Sequence, residues 1–144
     1  MKKNLYNIKI IWETTDILAK QIKKSSDSVD VLRQIYDNIE YDEKFYALYL
    51  NRNNMTVGYE LISIGGVSGT VVDIRKILRG ALMANSSNII LSHNHPSGNL
   101  TPSDKDKDIT KKVIKACKLM ELNVLDHIVL TRHDYFSFAD QHLI

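Results

Sequence analysis

The sequence predicts an α/β protein with one mixed β-sheet sandwiched by helices. Apolar strand-like runs alternate with stretches of helical periodicity, and no repeat, low-complexity segment or proline-rich linker interrupts them. Alternating strands and helices typically bury one sheet between helical layers. The chain has 144 residues, of which 44% are hydrophobic, which is enough to form a single buried core.

Composition narrows the classes of function. The 19 basic and 17 acidic residues leave a net charge of only +2, so the overall charge gives no strong signature of nucleic-acid binding. Cys117 is the one cysteine, which excludes an intrachain disulfide and a four-cysteine zinc site and suits a reducing compartment. No apolar run has the length of a membrane span or the form of a signal peptide, so we expect a cytoplasmic protein without a membrane partner.

Residues 1–42 are expected to form a preface of one strand and two helices. The loose alternation over residues 5–11 indicates a strand. Thr14 or Thr15 is a candidate N-cap for a helix that runs to Lys24, and Ser28 is a candidate N-cap for a second helix. The apolar residues of this second helix share one face: Val31, Leu32, Ile35 and Tyr36.

Residues 43–144 carry the alternation of strands and helices on which the fold class depends. Asn51–Asn54 is a candidate hairpin turn, because asparagine tolerates a positive φ. The pairs Gly65-Gly66 and Ser68-Gly69 are expected to break the second strand. The predicted elements are strands at 45–50 and 55–64, a helix at 74–84, a strand at 88–92, a helix at 103–120, and strands at 124–131 and 135–138.

His93 and His95 are the strongest chemical signal in the chain. They follow the apolar run 88–91, and alternate residues of a strand point to the same face, so the two imidazoles can converge on one ion. A carboxylate, Asp106, follows at the start of a predicted helix. Two histidines and one aspartate leave a coordination position open, which is typical of catalytic zinc sites.

Asp106 also has a purely structural interpretation. Ser103 and Asp106 have the S-x-x-D form of a helix capping box, which would explain both residues without a metal. The two roles are compatible, because a helix N-terminus stabilises an anionic side chain by about 0.3–1 kcal/mol. Asp104 and Asp108 are rival carboxylates, and the capping register favours Asp106.

The run from His93 to Asp106 resembles the metal motif of the JAB/MPN (JAMM) metalloprotease superfamily, and more closely its RadC-type branch. The H-E-x-x-H motif and the H-x-E with P-C-x-x-C of zinc deaminases are both absent. The resemblance implies a JAB/MPN, cytidine-deaminase-like domain over residues 43–144. The chain is similar to short forms found with bacterial mobile elements, and we expect it to lack the helix-hairpin-helix segment of longer members. The remaining segments that carry the resemblance are 50–51, 65–70, 72–75, 125–127 and 137–140.

The resemblance also implies a site and a reaction. His93, His95 and Asp106 would hold Zn²⁺ with water in the fourth position. Glu60 would transfer the proton of that water, and Ser103 would donate a hydrogen bond to the oxyanion. The implied activity is hydrolysis of a peptide or isopeptide bond. On the residues alone, Glu60 is not distinguished from the rival glutamates Glu40, Glu43 and Glu121.

A DNA-associated accessory role is the alternative function, because RadC-type proteins are commonly called DNA-repair proteins. Four lysines share one face of the predicted helix 103–120, opposite its apolar stripe, and such a face can contact a phosphate backbone. A solvated helix surface is the simpler explanation. The four are Lys107, Lys111, Lys115 and Lys118.

Asp126 and His127 stand together at the start of a predicted strand. We expect them to brace the end of the sheet. The alternative is that one of them orients a metal ligand from behind.

Overall fold

The computed structural model describes residues 1–65 and 71–144. Its elements are α1 (Ser25–Ile35), β1 (Glu43–Leu50), β2 (Thr56–Gly65), α2 (Ile74–Met83), β3 (Asn88–Asn94), α3 (Asp104–Leu119), β4 (Asn123–Leu130) and β5 (Tyr135–Ser137).

The strands form one five-stranded sheet in the order β2-β1-β3-β4-β5. The β3–β4 pair is parallel, and the other three pairs are antiparallel. The predicted mixed sheet is therefore confirmed. From residue 43 onward, every predicted boundary agrees with the structure to within two residues. Of the predicted break at 65–69, residues 66–69 lie outside the described part of the chain.

The sheet separates two apolar cores. Helices α2 and α3 pack on one face, against side chains such as Phe45, Ala47 and Leu91. Helix α1 packs on the other face, against Leu48 and Ile90. Successive residues of a strand point to opposite faces, so odd positions of β1 and β3 face α2 and α3, and even positions face α1.

The expectations for the N-terminal region were wrong in two elements. Residues 5–11 form no strand and are exposed, since a strand without a partner buries too little surface to be stable. Residues 14–24 form no helix. Instead, Gln21 makes an isolated antiparallel bridge to Met55, and Ile22 is buried in the core beside α1.

Helix α1 begins at Ser25, ahead of the expected cap. The Asp27 carboxylate accepts hydrogen bonds from the backbone N–H groups of Lys23 and Lys24 at 2.9 and 3.1 Å, which satisfies donors at the helix N-terminus. Ser28 is therefore not the cap but a buried residue within the helix.

Asn94 ties the central strand β3 to the chain segment that enters β1. Its side-chain nitrogen donates to the carbonyl oxygens of Ile39 and Asp42 at 2.7 and 2.8 Å, and its side-chain oxygen accepts the Lys44 N–H at 2.7 Å. The Asn94 side chain is fully buried. A residue of β3 therefore positions the start of β1, where Glu43 lies.

In the described part of the chain, no helix is long and apolar enough to cross a membrane.

We expect Asn94→Ala to lower the free energy of unfolding by about 2–4 kcal/mol, because three hydrogen bonds of roughly 1 kcal/mol each are lost and buried groups are left unpaired. Chemical denaturation monitored by circular dichroism measures this change. Asn123→Ala is the matched control, since Asn123 is exposed and donates one side-chain hydrogen bond, to Asn88. Equal effects of the two substitutions would contradict the anchoring role of Asn94.

Candidate metal centre

The end of β3 brings two imidazoles together. His93 is the second-last residue of β3 and is buried. His95 follows the strand, and its backbone N–H donates to the Leu130 carbonyl at 2.8 Å, so the strand geometry continues past the end of β3. The two Nε2 atoms are 2.9 Å apart. The structure thus places His93 and His95 on the same side, as the i, i+2 spacing predicts.

Helix α3 presents a carboxylate to both rings. Ser103 caps the helix: its Oγ accepts the Asp106 N–H at 3.1 Å, and the Asp106 Oδ2 accepts the Ser103 N–H at 2.7 Å. The same carboxylate places Oδ1 3.3 Å from His93 Nε2 and Oδ2 3.4 Å from His95 Nε2. The Asp106 carboxylate therefore caps the helix and contacts both histidines at the same time.

A second carboxylate, Glu43, reaches the same cluster from β1. Its Oε1 is 3.9 Å from His95 Nε2, and Glu43, His93 and His95 each offer a ligand atom within 4.8 Å of the others. Glu43 arrives here because Phe45 pairs with His93 across β1 and β3, and Glu43 stands two residues before Phe45 on the same face.

The structure does not bring Glu60 to this cluster. The Glu60 carboxylate accepts a hydrogen bond from Tyr49 Oη at 3.2 Å and pairs with Arg79 at 3.1 Å. Burial, followed by the nearby Glu60, raises the pKa of Tyr49 well above its usual range, so the phenol remains a donor. A Cβ at Gly80 would lie 2.1 Å from Tyr49 Oη, so the absence of a side chain there lets α2 close over this pair.

The strand register gives the distance between the two glutamates. Glu60 is opposite Ala47 in the β1–β2 ladder, whereas Glu43 is opposite Gly65. Gly65 is five residues farther along β2 (65 − 60 = 5), or roughly 16 Å at about 3.3 Å per residue. The candidate role of Glu43 was missed in the sequence because it depends on this register, which no local pattern reveals.

The charges of the cluster favour a cation. The neighbouring Asp106 carboxylate raises the pKa of His95, against the opposing effect of burial. Burial alone would raise the pKa of Asp106, but the neighbouring imidazoles of His93 and His95 outweigh it and hold that pKa well below its usual range. The Asp106 carboxylate is therefore ionised, and it faces two imidazole nitrogens.

The geometry of the donors fits a small divalent ion. Ligand atoms around a tetrahedral zinc at about 2.0–2.2 Å are roughly 3.3 Å from one another, and the His93–Asp106 and His95–Asp106 separations are 3.3 and 3.4 Å. His95 Nδ1 is 2.6 Å from the Asn99 carbonyl oxygen, which can only accept. Nδ1 therefore carries the proton, and Nε2 turns a lone pair toward the cluster.

The two residues Asp126 and His127 have separate roles. Asp126 accepts hydrogen bonds from the Ser137 hydroxyl at 2.6 Å and from the Ala139 N–H at 2.9 Å, which brace the end of the sheet. His127 instead lies behind the cluster, with its Nε2 2.8 Å from His93 Nδ1. Burial lowers the pKa of His127 well below its usual range, so its ring is neutral.

One cavity includes a residue next to the cluster in the sequence. It is a cleft of about 310 Å³, lined by Pro96, which follows His95, and by Arg132 and His133 among others. A larger cavity of about 740 Å³ lies between the N-terminal segment and β1–β2. None of the clustered side chains lines either cavity, and the smaller cleft is the one that includes the residue directly after His95.

Comparison with known proteins gives a family and several relatives. The family model of the RadC-like JAB domain matches residues 22–143, a range that includes α1 as well as the sheet. The chain is 39% identical to a UPF0758 protein of Flavobacterium johnsoniae (88% of this chain, 55% of that protein) and 39% identical to the UPF0758 protein YfjY of Escherichia coli (71% and 64%). It is 31% identical to a UPF0758 protein of Fusobacterium nucleatum (99% and 67%). The chain thus spans about half to two thirds of the length of these relatives, whose names state no activity.

We expect the purified chain to bind about one Zn²⁺ and His95→Ala to lose it, because the substitution removes one of the converging nitrogens. Titration against a chromophoric chelator measures the affinity. His133→Ala is the matched control, since this exposed imidazole lies outside the cluster. A wild-type chain that binds no added zinc would contradict the site.

Proposed function

We propose that this chain, which belongs to the RadC-like JAB domain family, is a zinc-dependent hydrolase of peptide or isopeptide bonds. The observation that carries the proposal is the convergence of three ligand side chains and one further carboxylate on the same point. Three protein ligands with one open position are typical of catalytic zinc sites. The three ligands are His93, His95 and Asp106.

Zinc bound at such a site polarises a carbonyl oxygen and lowers the pKa of a water molecule to about 7. The protein must then accept the proton of that water and return it to the leaving amine. We assign this role to Glu43. At 3.9 Å from His95 Nε2, its carboxylate is close to the ligands yet leaves room for the reacting groups. Glu60, the glutamate implied by the family resemblance, is occupied by Tyr49 and Arg79.

Ser103 is suited to stabilise the developing oxyanion. Its Oγ accepts the Asp106 N–H, which leaves the hydroxyl hydrogen free to donate outward, and the residue is exposed. Removal of a hydrogen-bond donor at such a position typically lowers kcat by a factor of about 10²–10³. We assign the cleft lined by Pro96, the residue after His95, to an extended substrate chain.

We expect Glu43→Gln to lower hydrolysis by about 10²–10⁴, because the amide cannot accept a proton, while zinc affinity changes little. Glu60→Gln is the control and should retain both activity and zinc. The assay uses a substrate found by screening the zinc-loaded wild type against peptides, isopeptide-linked proteins and DNA. Loss of activity in Glu60→Gln but not in Glu43→Gln would overturn the assignment, and a wild type inactive on every substrate would contradict the hydrolase itself.

A DNA-associated role is the second candidate, and one surface of α3 favours it. Lys111, Lys115 and Lys118 are exposed along this helix, and Lys107 is half-buried in its first turns. Such a row matches the spacing of a basic face that contacts phosphates.

If all four lysines contact phosphates, the logarithm of the DNA association constant should fall with the logarithm of salt concentration with a slope of about −3 to −4. Lys111→Glu combined with Lys115→Glu should weaken binding strongly, and fluorescence anisotropy with labelled single- and double-stranded DNA measures it. Lys2→Glu combined with Lys3→Glu makes the same change in charge elsewhere and should have a smaller effect. Absence of binding at low salt would dismiss this role.

A further inference from the structure

We propose that Thr110 and His127 are positioning residues that set the tautomer of His93, so that its Nε2 lone pair faces the metal centre. The inference rests on the proposed function in one respect, that His93 serves as a metal ligand. The chain of contacts runs from the backbone of α3 through two buried side chains to the ring of His93.

The direction of these hydrogen bonds follows from Thr110. Its Oγ1 lies 2.6 Å from the Asp106 carbonyl oxygen, one turn earlier in α3, and 2.6 Å from His127 Nδ1. A carbonyl oxygen can only accept, and a threonine hydroxyl has one hydrogen. That hydrogen is used on Asp106, so Thr110 can only accept from His127.

The same logic extends to the metal ligand. His127 Nδ1 must carry the hydrogen. The ring is fully buried and neither of its hydrogen-bond partners is a carboxylate, so it is neutral and its Nε2 is an acceptor. His93 Nδ1, 2.8 Å away, donates to it. The remaining nitrogen of His93, Nε2, therefore presents its lone pair on the side where Asp106 and His95 lie.

Burial fixes the orientation of the His127 ring and its hydrogen-bond partners. Thr110, His127 and His93 are each at most 1% exposed, so solvent cannot replace a lost partner. Phe138 stacks on the His127 ring with centroids 4.7 Å apart, and Phe45 meets it edge-on at 5.4 Å. These contacts fix the plane of the ring and keep both of its nitrogens aligned with their partners.

The arrangement matters because a metal binds only the unprotonated nitrogen. If His93 carried its hydrogen on Nε2, that hydrogen would have to move before a metal could bind. Loss of a hydrogen-bonding partner behind a metal ligand typically lowers metal affinity 10–100-fold. We expect an effect of this size from loss of the Thr110 hydroxyl.

Two measurements test the proposal. The first is the ¹⁵N–¹H correlation of histidine rings in the metal-free wild type at pH 8, which identifies the tautomer of each neutral ring without any substitution. We expect the hydrogen on Nδ1 in both His127 and His93. A hydrogen on Nε2 of His93 would overturn the proposal.

The second measurement is Zn²⁺ affinity, by competition with a chelator, in Thr110→Val and Thr110→Ser. Valine keeps the shape but removes the acceptor, so affinity should fall 10–100-fold and the His93 tautomer should shift. Serine keeps the hydroxyl and should stay within about threefold of the wild type. Equal affinity and an unchanged tautomer in Thr110→Val would overturn the proposal. If the wild type binds no zinc, the proposed function fails, while the ring spectra still decide the tautomers.

Discussion

The hydrogen bonds exchanged by Ser103 and Asp106 at the N-terminus of α3 are the interaction on which both the fold and the candidate site depend. They satisfy helix donors that would otherwise be unpaired, and they hold the Asp106 carboxylate over the end of β3. The positive end of the helix dipole favours that anion. One residue thus begins the helix and closes the cluster, so the helix cannot shift along the sheet without moving the site.

The two faces of the sheet contribute differently to the candidate site. The side that carries α3 supplies Asp106 and also Thr110, one turn later. One helix thus provides a candidate metal ligand and also the hydroxyl that positions His127 behind His93. Among the described residues, the opposite side supplies no candidate ligand but carries the Asn94 amide, which holds the segment leading into Glu43. Buried polar networks of this kind are rigid when every member has a partner. In the described residues, no buried side-chain nitrogen or oxygen lacks one.

The parts of the structure that the sequence predicted are those that depend on local geometry. The convergence of His93 and His95 follows from the two-residue period of a strand, and the placement of Asp106 follows from the capping register. Glu43 could not be found in this way, because it reaches the cluster through the pairing of β1 with β3. The sequence left open whether Asp126 or His127 supports a metal ligand, because the place of His127 behind His93 depends on the parallel pairing of β3 with β4.

In the N-terminal region, local sequence patterns predicted elements that the structure does not form. Residues 5–11 alternate as a strand does, yet no strand forms where no partner is available. At α1, both Asp27 and Ser28 are plausible capping residues, and the acidic side chain prevails because it reaches two backbone donors at once. Composition alone does not rank these choices.

The adjacency of His93 and Asn94 on opposite faces of β3 has a consequence for how the chain finds its fold. A slip of one residue in the pairing of a strand exchanges its two faces. Here such a slip would push an imidazole into the aliphatic layer beneath α1 and an amide into the layer beneath α3, and each would lose all of its partners. Because an unpaired buried polar group costs about 1–3 kcal/mol, the two penalties add in every pairing that is shifted by an odd number of residues. The polar end of the central strand therefore destabilises incorrect registers that its apolar run, Ile89–Leu91, would tolerate.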